Sequence, residues 1–144
     1  MRAAILALLG LTAAAQVPGP KDKCPVCGMF VAKFPTWVTV LRTKEGAVRF
    51  ADGPKDALKV LLDPGRLGAR PGELSVQLKD YYGLKPLEAR EAWYEVDSDV
   101  RGPMGRELVP FRTEAEAQAF RKEHHGRLVL RLADITPAVL KALE

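Results

Sequence analysis

The chain of 144 residues is poor in the side chains that build frameworks or metal cages: two cysteines, two histidines and three methionines, one of them Met1. Two cysteines cannot make a disulfide scaffold, and a chain of this length can bury a core without one. Charge of one sign is scarce too, with 22 basic against 18 acidic side chains spread along the sequence. Phosphate binding needs basic residues clustered on one face, so no nucleic-acid partner is expected. Long apolar runs are absent. The first fifteen residues, "MRAAILALLGLTAAA", hold one charge at Arg2, an apolar run to Leu11, and the small residues Ala13, Ala14 and Ala15. That is the layout of a secretory signal peptide, since a membrane span takes about 20 apolar residues. Residues 1–15 are therefore read as a signal and residues 16–144 as an exported chain, in the periplasm or another extracytoplasmic space. "QVPGPKDK", residues 16–23, offers proline, glycine and charge but little to bury, and reads as a flexible tether.

What the sequence does have is alternation and capping. "WVTVLRT" (Trp37 to Thr43) and "AVRFA" (Ala47 to Ala51) are β-branched and aromatic runs joined by a glycine-containing turn, which predicts a hairpin. Asp52 stands where an N-cap is expected, with Pro54 in the first turn and Leu58, Leu61 and Leu62 at helical spacing. Pro64-Gly65 stops that helix, and "LSVQL" (Leu74 to Leu78) reads as a strand. After "GLKPLE" (Gly83 to Glu88), read as a linker, come two more strand-like runs, "AWYEVD" (Ala92 to Asp97) and "ELVPF" (Glu107 to Phe111). Pro110 suits an edge. Thr113 with Glu116 spells a capping box ahead of a helix that Gly126 ends, and "RLVLRLAD" (Arg127 to Asp134) is a further strand. Thr136-Pro137 opens a short terminal helix burying Val139, Leu140 and Leu143. Both halves repeat strand, strand, capped helix, strand. The predicted fold is α+β: two similar ββαβ units packed together, residues 24–85 and 86–144, with a short C-terminal helix.

The chemistry concentrates in "KCPVCGMF" (Lys23 to Phe30), which holds both cysteines, Cys24 and Cys27. A structural zinc site needs four ligands, yet the histidines, His124 and His125, are adjacent and about a hundred residues away. A thiol–disulfide enzyme places its first cysteine at a helix N-terminus, where the dipole lowers its pKa. Here the following segment is short and runs into Pro35. That reading stays open as the alternative. A third reading uses methionine: Met29 in "CGMF" and Met104 in "GPMGRE" both lie in glycine-flanked loops rather than on helix faces. Thiolate with thioethers is a donor set that selects a soft ion such as Cu(I).

Four stretches, "CPVCGM", "RFADGPKDALK", "PMGRELVPFRTEAEAQAF" and "HGRLVLRLADI", occur in the order and over the extent in which the chain resembles the NosL family of nitrous-oxide-reductase accessory proteins. The resemblance implies an exported copper metallochaperone rather than an enzyme. It would hold Cu(I) and pass it to nitrous oxide reductase or another exported copper enzyme, with a copper exporter as donor. By position it implies Cys27, Met29 and Met104 as Cu(I) ligands, one ion bridging the two units. Cys24, His124 and His125 are additional candidates for metal binding or, for Cys24, redox chemistry. Members usually carry a lipidated cysteine after the signal; positions 10–20 contain none, so no lipid anchor is evident here, and membrane association stays open.

Overall fold

The computed structural model describes residues 16–144; the signal-peptide reading of residues 1–15 lies outside the described residues. Strands β1 (Thr39–Thr43) and β2 (Val48–Ala51) form the predicted hairpin, and helix α1 (Pro54–Leu62) follows. Strand β3 (Leu74–Lys79) returns beside β1, and β4 (Pro86–Glu88) pairs with β3, giving a four-stranded antiparallel sheet of order β2-β1-β3-β4. The segment read as a linker thus supplies an edge strand. Three residues are too few to show an alternating pattern, and Pro86 is tolerated because it sits at the start of an edge.

The second unit repeats the plan. Strands β5 (Trp93–Val96) and β6 (Leu108–Phe111), helix α2 (Glu114–Glu123) and strand β7 (Leu128–Arg131) give a three-stranded antiparallel sheet of order β6-β5-β7. Pro110 does lie on an edge strand. Thr113 closes the capping box: its Oγ1 accepts from the Glu116 amide at 3.3 Å, and the Glu116 carboxylate accepts from the Thr113 amide at 3.1 Å. The terminal helix α3 (Pro137–Lys141) is capped by Thr136, whose hydroxyl accepts from the Val139 amide.

The period of two along β5, β6 and β7 decides what holds the halves together. Tyr94 and Val96, Leu108, Leu128 and Leu130 face the first unit and share one apolar cluster with Leu41, Leu58 and Val76. Alternate residues face the other way: Val109 and Phe111 with Val129 join Ala117 and Phe120 of α2. The two units therefore share a single main core, and α2 caps the far side of the second sheet.

On that far side a carboxylate is buried. Glu95 is fully buried with neither carboxylate oxygen hydrogen-bonded. It also explains Gly126 better than helix termination does, because a Cβ there would fall 2.1 Å from Glu95 Oε1. Burial pushes the Glu95 carboxyl up to about 7; Ser98 and the Arg127 backbone pull it partly back, Asp97 adds to the rise, and His124 opposes it. The folded chain then holds a proton that the unfolded chain releases near 4.5, so stability is full below that value and falls as pH rises to about 7. At about 1.4 kcal/mol per pH unit, the loss is on the order of 3 kcal/mol. Denaturant melts of Glu95→Gln at pH 5 and pH 8 are expected to show a flattened pH slope and a gain over wild type at pH 8. An unchanged slope would contradict this assignment.

Candidate metal centre

Cys24 to Met29 form a closed loop. Lys23 and Phe30 pair as an antiparallel bridge at its neck, the Cys24 amide donates to the Met29 carbonyl at 2.9 Å, and the Gly28 amide donates to the Cys24 carbonyl at 2.9 Å. Closing so few residues requires a left-handed turn, which Gly28 supplies at φ +75°. The second methionine loop is tighter still. Gly102 and Gly105 exchange backbone hydrogen bonds at 2.8 and 3.1 Å, leaving Pro103 and Met104 at the tip of a two-residue turn with Gly105 at φ +84°. Met104 is 46% exposed there.

Between these loops stands the first turn of α1. The Cys27 thiol donates to Asp52 at 3.2 Å, and the Cys24 thiol to Asp56 at 3.4 Å. Donor atoms of Cys24, Cys27, Asp52 and Asp56 all lie within 4.8 Å of one another. The set of two sulfurs and two oxygens can hold a metal, although its carboxylates are hard donors that Cu(I) does not seek. Both thiols are free. Burial pushes the Cys24 thiol up. Burial likewise drives the Cys27 thiol upward, with the Asp52 carboxylate adding to the rise. Both shifts run upward, opposite to the lowered pKa of an activated redox cysteine, even though the first turn of α1 lies beside the thiols.

Asp52 was expected to cap α1, and it does not. Gly53 occupies the N-cap, one residue later, with no side-chain cap of its own. The capping carboxylate comes instead from the second unit: Glu107 accepts from the Lys55 amide at 2.6 Å and from the Leu108 amide at 2.9 Å. A Cβ on Gly53 would lie 2.5 Å from Glu107 Oε2, so the bare glycine leaves room for this cap. Asp52 is thereby released to face the thiols. Burial pushes the Glu107 carboxyl up to about 8, against the pull of its two amide donors and of Lys55.

The structure therefore brings Cys24 and Cys27 together with two aspartates that the motif reading missed. Asp56 lies one helical turn past Asp52 in "ADGPKD", and the available signal was the Asp-Gly pair itself, in which glycine can serve as cap. Met29 belongs to the cysteine loop, and Met104 reaches the same helix turn through Lys55, whose Nζ donates to the Met104 carbonyl at 3.2 Å. The histidines are held elsewhere. His124 is the C-cap residue of α2, paired with Asp99 at 2.9 Å and stacked on Phe120 at 4.1 Å, and His125 turns the chain at φ +54°. Neither belongs to the Cys/Asp group.

Comparison with known proteins converges on one family. The NosL family profile matches residues 17–140. The chain is 31% identical over 133 residues to the copper-binding lipoprotein NosL of Stutzerimonas stutzeri, covering 83% of this chain and 65% of that protein. It is 33% identical over 131 residues to the copper-binding lipoprotein NosL of Achromobacter cycloclastes, covering 85% and 59%. The chain thus spans about three-fifths of the length of these relatives. Its fold is similar to the crystal structure of the copper chaperone NosL from Shewanella denitrificans, with a TM-score of 0.71 at 29% identity, covering 86% of this chain and 96% of that one. The solution structure of apo-NosL from Achromobacter cycloclastes gives 0.51 at 28% identity, over 71% and 87%.

Proposed function

The chain belongs to the NosL family, and from that premise we propose that it binds one Cu(I) through Cys27, Met29 and Met104 and hands it to a copper enzyme. The observation that carries this reading is the convergence of two glycine-turned methionine loops on the one helix turn that also faces the cysteines. Soft sulfur donors from both units suit a soft ion. Met104 at a half-exposed hairpin tip, and Phe30 beside Met29 at 38% exposure, would leave a bound ion reachable from one side. A recipient's ligands can then enter before the chain's own ligands leave, so transfer proceeds by ligand exchange without catalysis.

Nitrous oxide reductase is the recipient that the family implies, with a copper exporter as donor. Export agrees with the relatives' names as lipoproteins. No helix among the described residues is long and apolar enough to cross a membrane. The rival thiol–disulfide reading is disfavoured by the upward-shifted thiols, which lower the fraction of attacking thiolate.

The test is an anaerobic Cu(I) titration of the reduced protein against a competing chelator. Wild type is expected to bind one equivalent. Met104→Ala is expected to weaken binding on the order of tenfold to a hundredfold, about 1.4–2.8 kcal/mol, while leaving the melting temperature nearly unchanged. Affinity in Met104→Ala equal to wild type would remove the second unit from the site.

A further inference from the structure

Lys55 is buried, 3% exposed, in the first turn of α1, and its side chain reaches across to the second unit. Its Nζ donates to the Arg106 carbonyl at 2.6 Å, the Met104 carbonyl at 3.2 Å and the Leu143 carbonyl at 3.2 Å, while its amide donates to Glu107. Three N–H donors meet three backbone carbonyls, so the ammonium has no donor left for a ligand. Two of the acceptors flank Gly105, the glycine that turns the methionine loop. The next residue along α1 is Asp56, which accepts from the Cys24 thiol and also faces Lys59 at 3.6 Å.

Resting on the copper reading above, we propose that Lys55 is the positioning residue of the site: it fixes the Met104 loop against the helix turn that faces Cys24 and Cys27. A two-residue turn exposed at its tip has few contacts of its own to set where the thioether stands. The Lys55 ammonium supplies that register from below by gripping backbone rather than side chain. It leaves the Met104 sulfur free to bind or release the ion. Groups that orient metal ligands from the outer shell typically change affinity by about ten to a hundredfold when removed.

The test compares Lys55→Leu, which keeps an apolar stem and loses the donors without adding sulfur, with Met104→Ala and with the double variant, by Cu(I) competition. Lys55→Leu is expected to weaken Cu(I) binding about as much as Met104→Ala, within the roughly ten to a hundredfold range. The double variant is expected to be no weaker than either single one, because both remove the same contact. Lys55→Arg, which keeps charge and donors, is expected to recover part of the loss. Wild-type affinity in Lys55→Leu, or multiplicative losses in the double variant, would overturn the proposal. Wild-type affinity in Met104→Ala would instead overturn the ligand reading on which it rests. Should Lys55→Leu fail to fold, the side-chain amine resonance of Lys55 in lysine-labelled protein, identified by its loss in Lys55→Arg, decides the matter. It is expected to move on Cu(I) loading of wild type but not of Met104→Ala, and an unmoved signal in wild type would refute the coupling.

Discussion

Replacing Cys27 by alanine is expected to weaken Cu(I) binding on the order of a thousandfold, about 4 kcal/mol, the largest functional loss of any single substitution in the chain. In the proposed site Cys27 is the thiolate among thioethers, and a thiolate carries the charge that neutralises the ion. Cys27→Ser separates ligation from the hydrogen bond to Asp52, since serine can still donate to that carboxylate but offers a hard oxygen. Both variants are expected to lose affinity to a similar degree. A serine variant near wild-type affinity would mean that the contact with Asp52 matters and the sulfur does not. Cys24 is a useful contrast. It is 2% exposed and belongs to the shared core, so its replacement is expected to act on stability as well as on the metal.

The largest loss of stability is expected from Tyr94→Ala. Tyr94 is fully buried in the cluster that both units share, and its hydroxyl donates to the Ala89 carbonyl at 2.8 Å. Truncating a buried aromatic costs about 3–5 kcal/mol, and here it also leaves the Ala89 carbonyl without its donor. For a chain of this size that is a fall in melting temperature of roughly 10–20 °C. Because the cluster joins the units, unfolding is expected to remain a single transition, with the two sheets lost together. Two separated transitions by calorimetry would mean that the units are stabilised independently.

Elements set by neighbouring residues were legible in the sequence. The Thr113–Glu116 capping box, the β1–β2 hairpin and the Thr136 cap depend on contacts within a few positions, where residue type and spacing carry the information, and the repeated ββαβ order was legible as a succession of such local patterns. The glycines of the two methionine loops were legible for the same reason, since a tight turn of that length needs positive φ. Features set by the other half of the chain were not. Asp52 looked like an N-cap because aspartate usually is one; a carboxylate more than fifty positions later took the role, and only the packing of the two units reveals that Glu107 arrives there. The grip of Lys55 on the Met104 loop shares that origin, whereas Asp56 beside Cys24 and Glu95 under Gly126 are contacts within one unit between residues distant in sequence. With the cap moved to Gly53, the chain enters α1 three residues after Phe50 but enters α2 two residues after Phe111.

The most direct test of the central claim is X-ray absorption at the copper edge of protein loaded with one equivalent of Cu(I), compared with the same sample of Met104→Ala. Wild type is expected to show a coordination shell made of sulfur, and the variant one sulfur fewer. A shell of oxygen or nitrogen donors, or an identical sulfur count in both proteins, would contradict it.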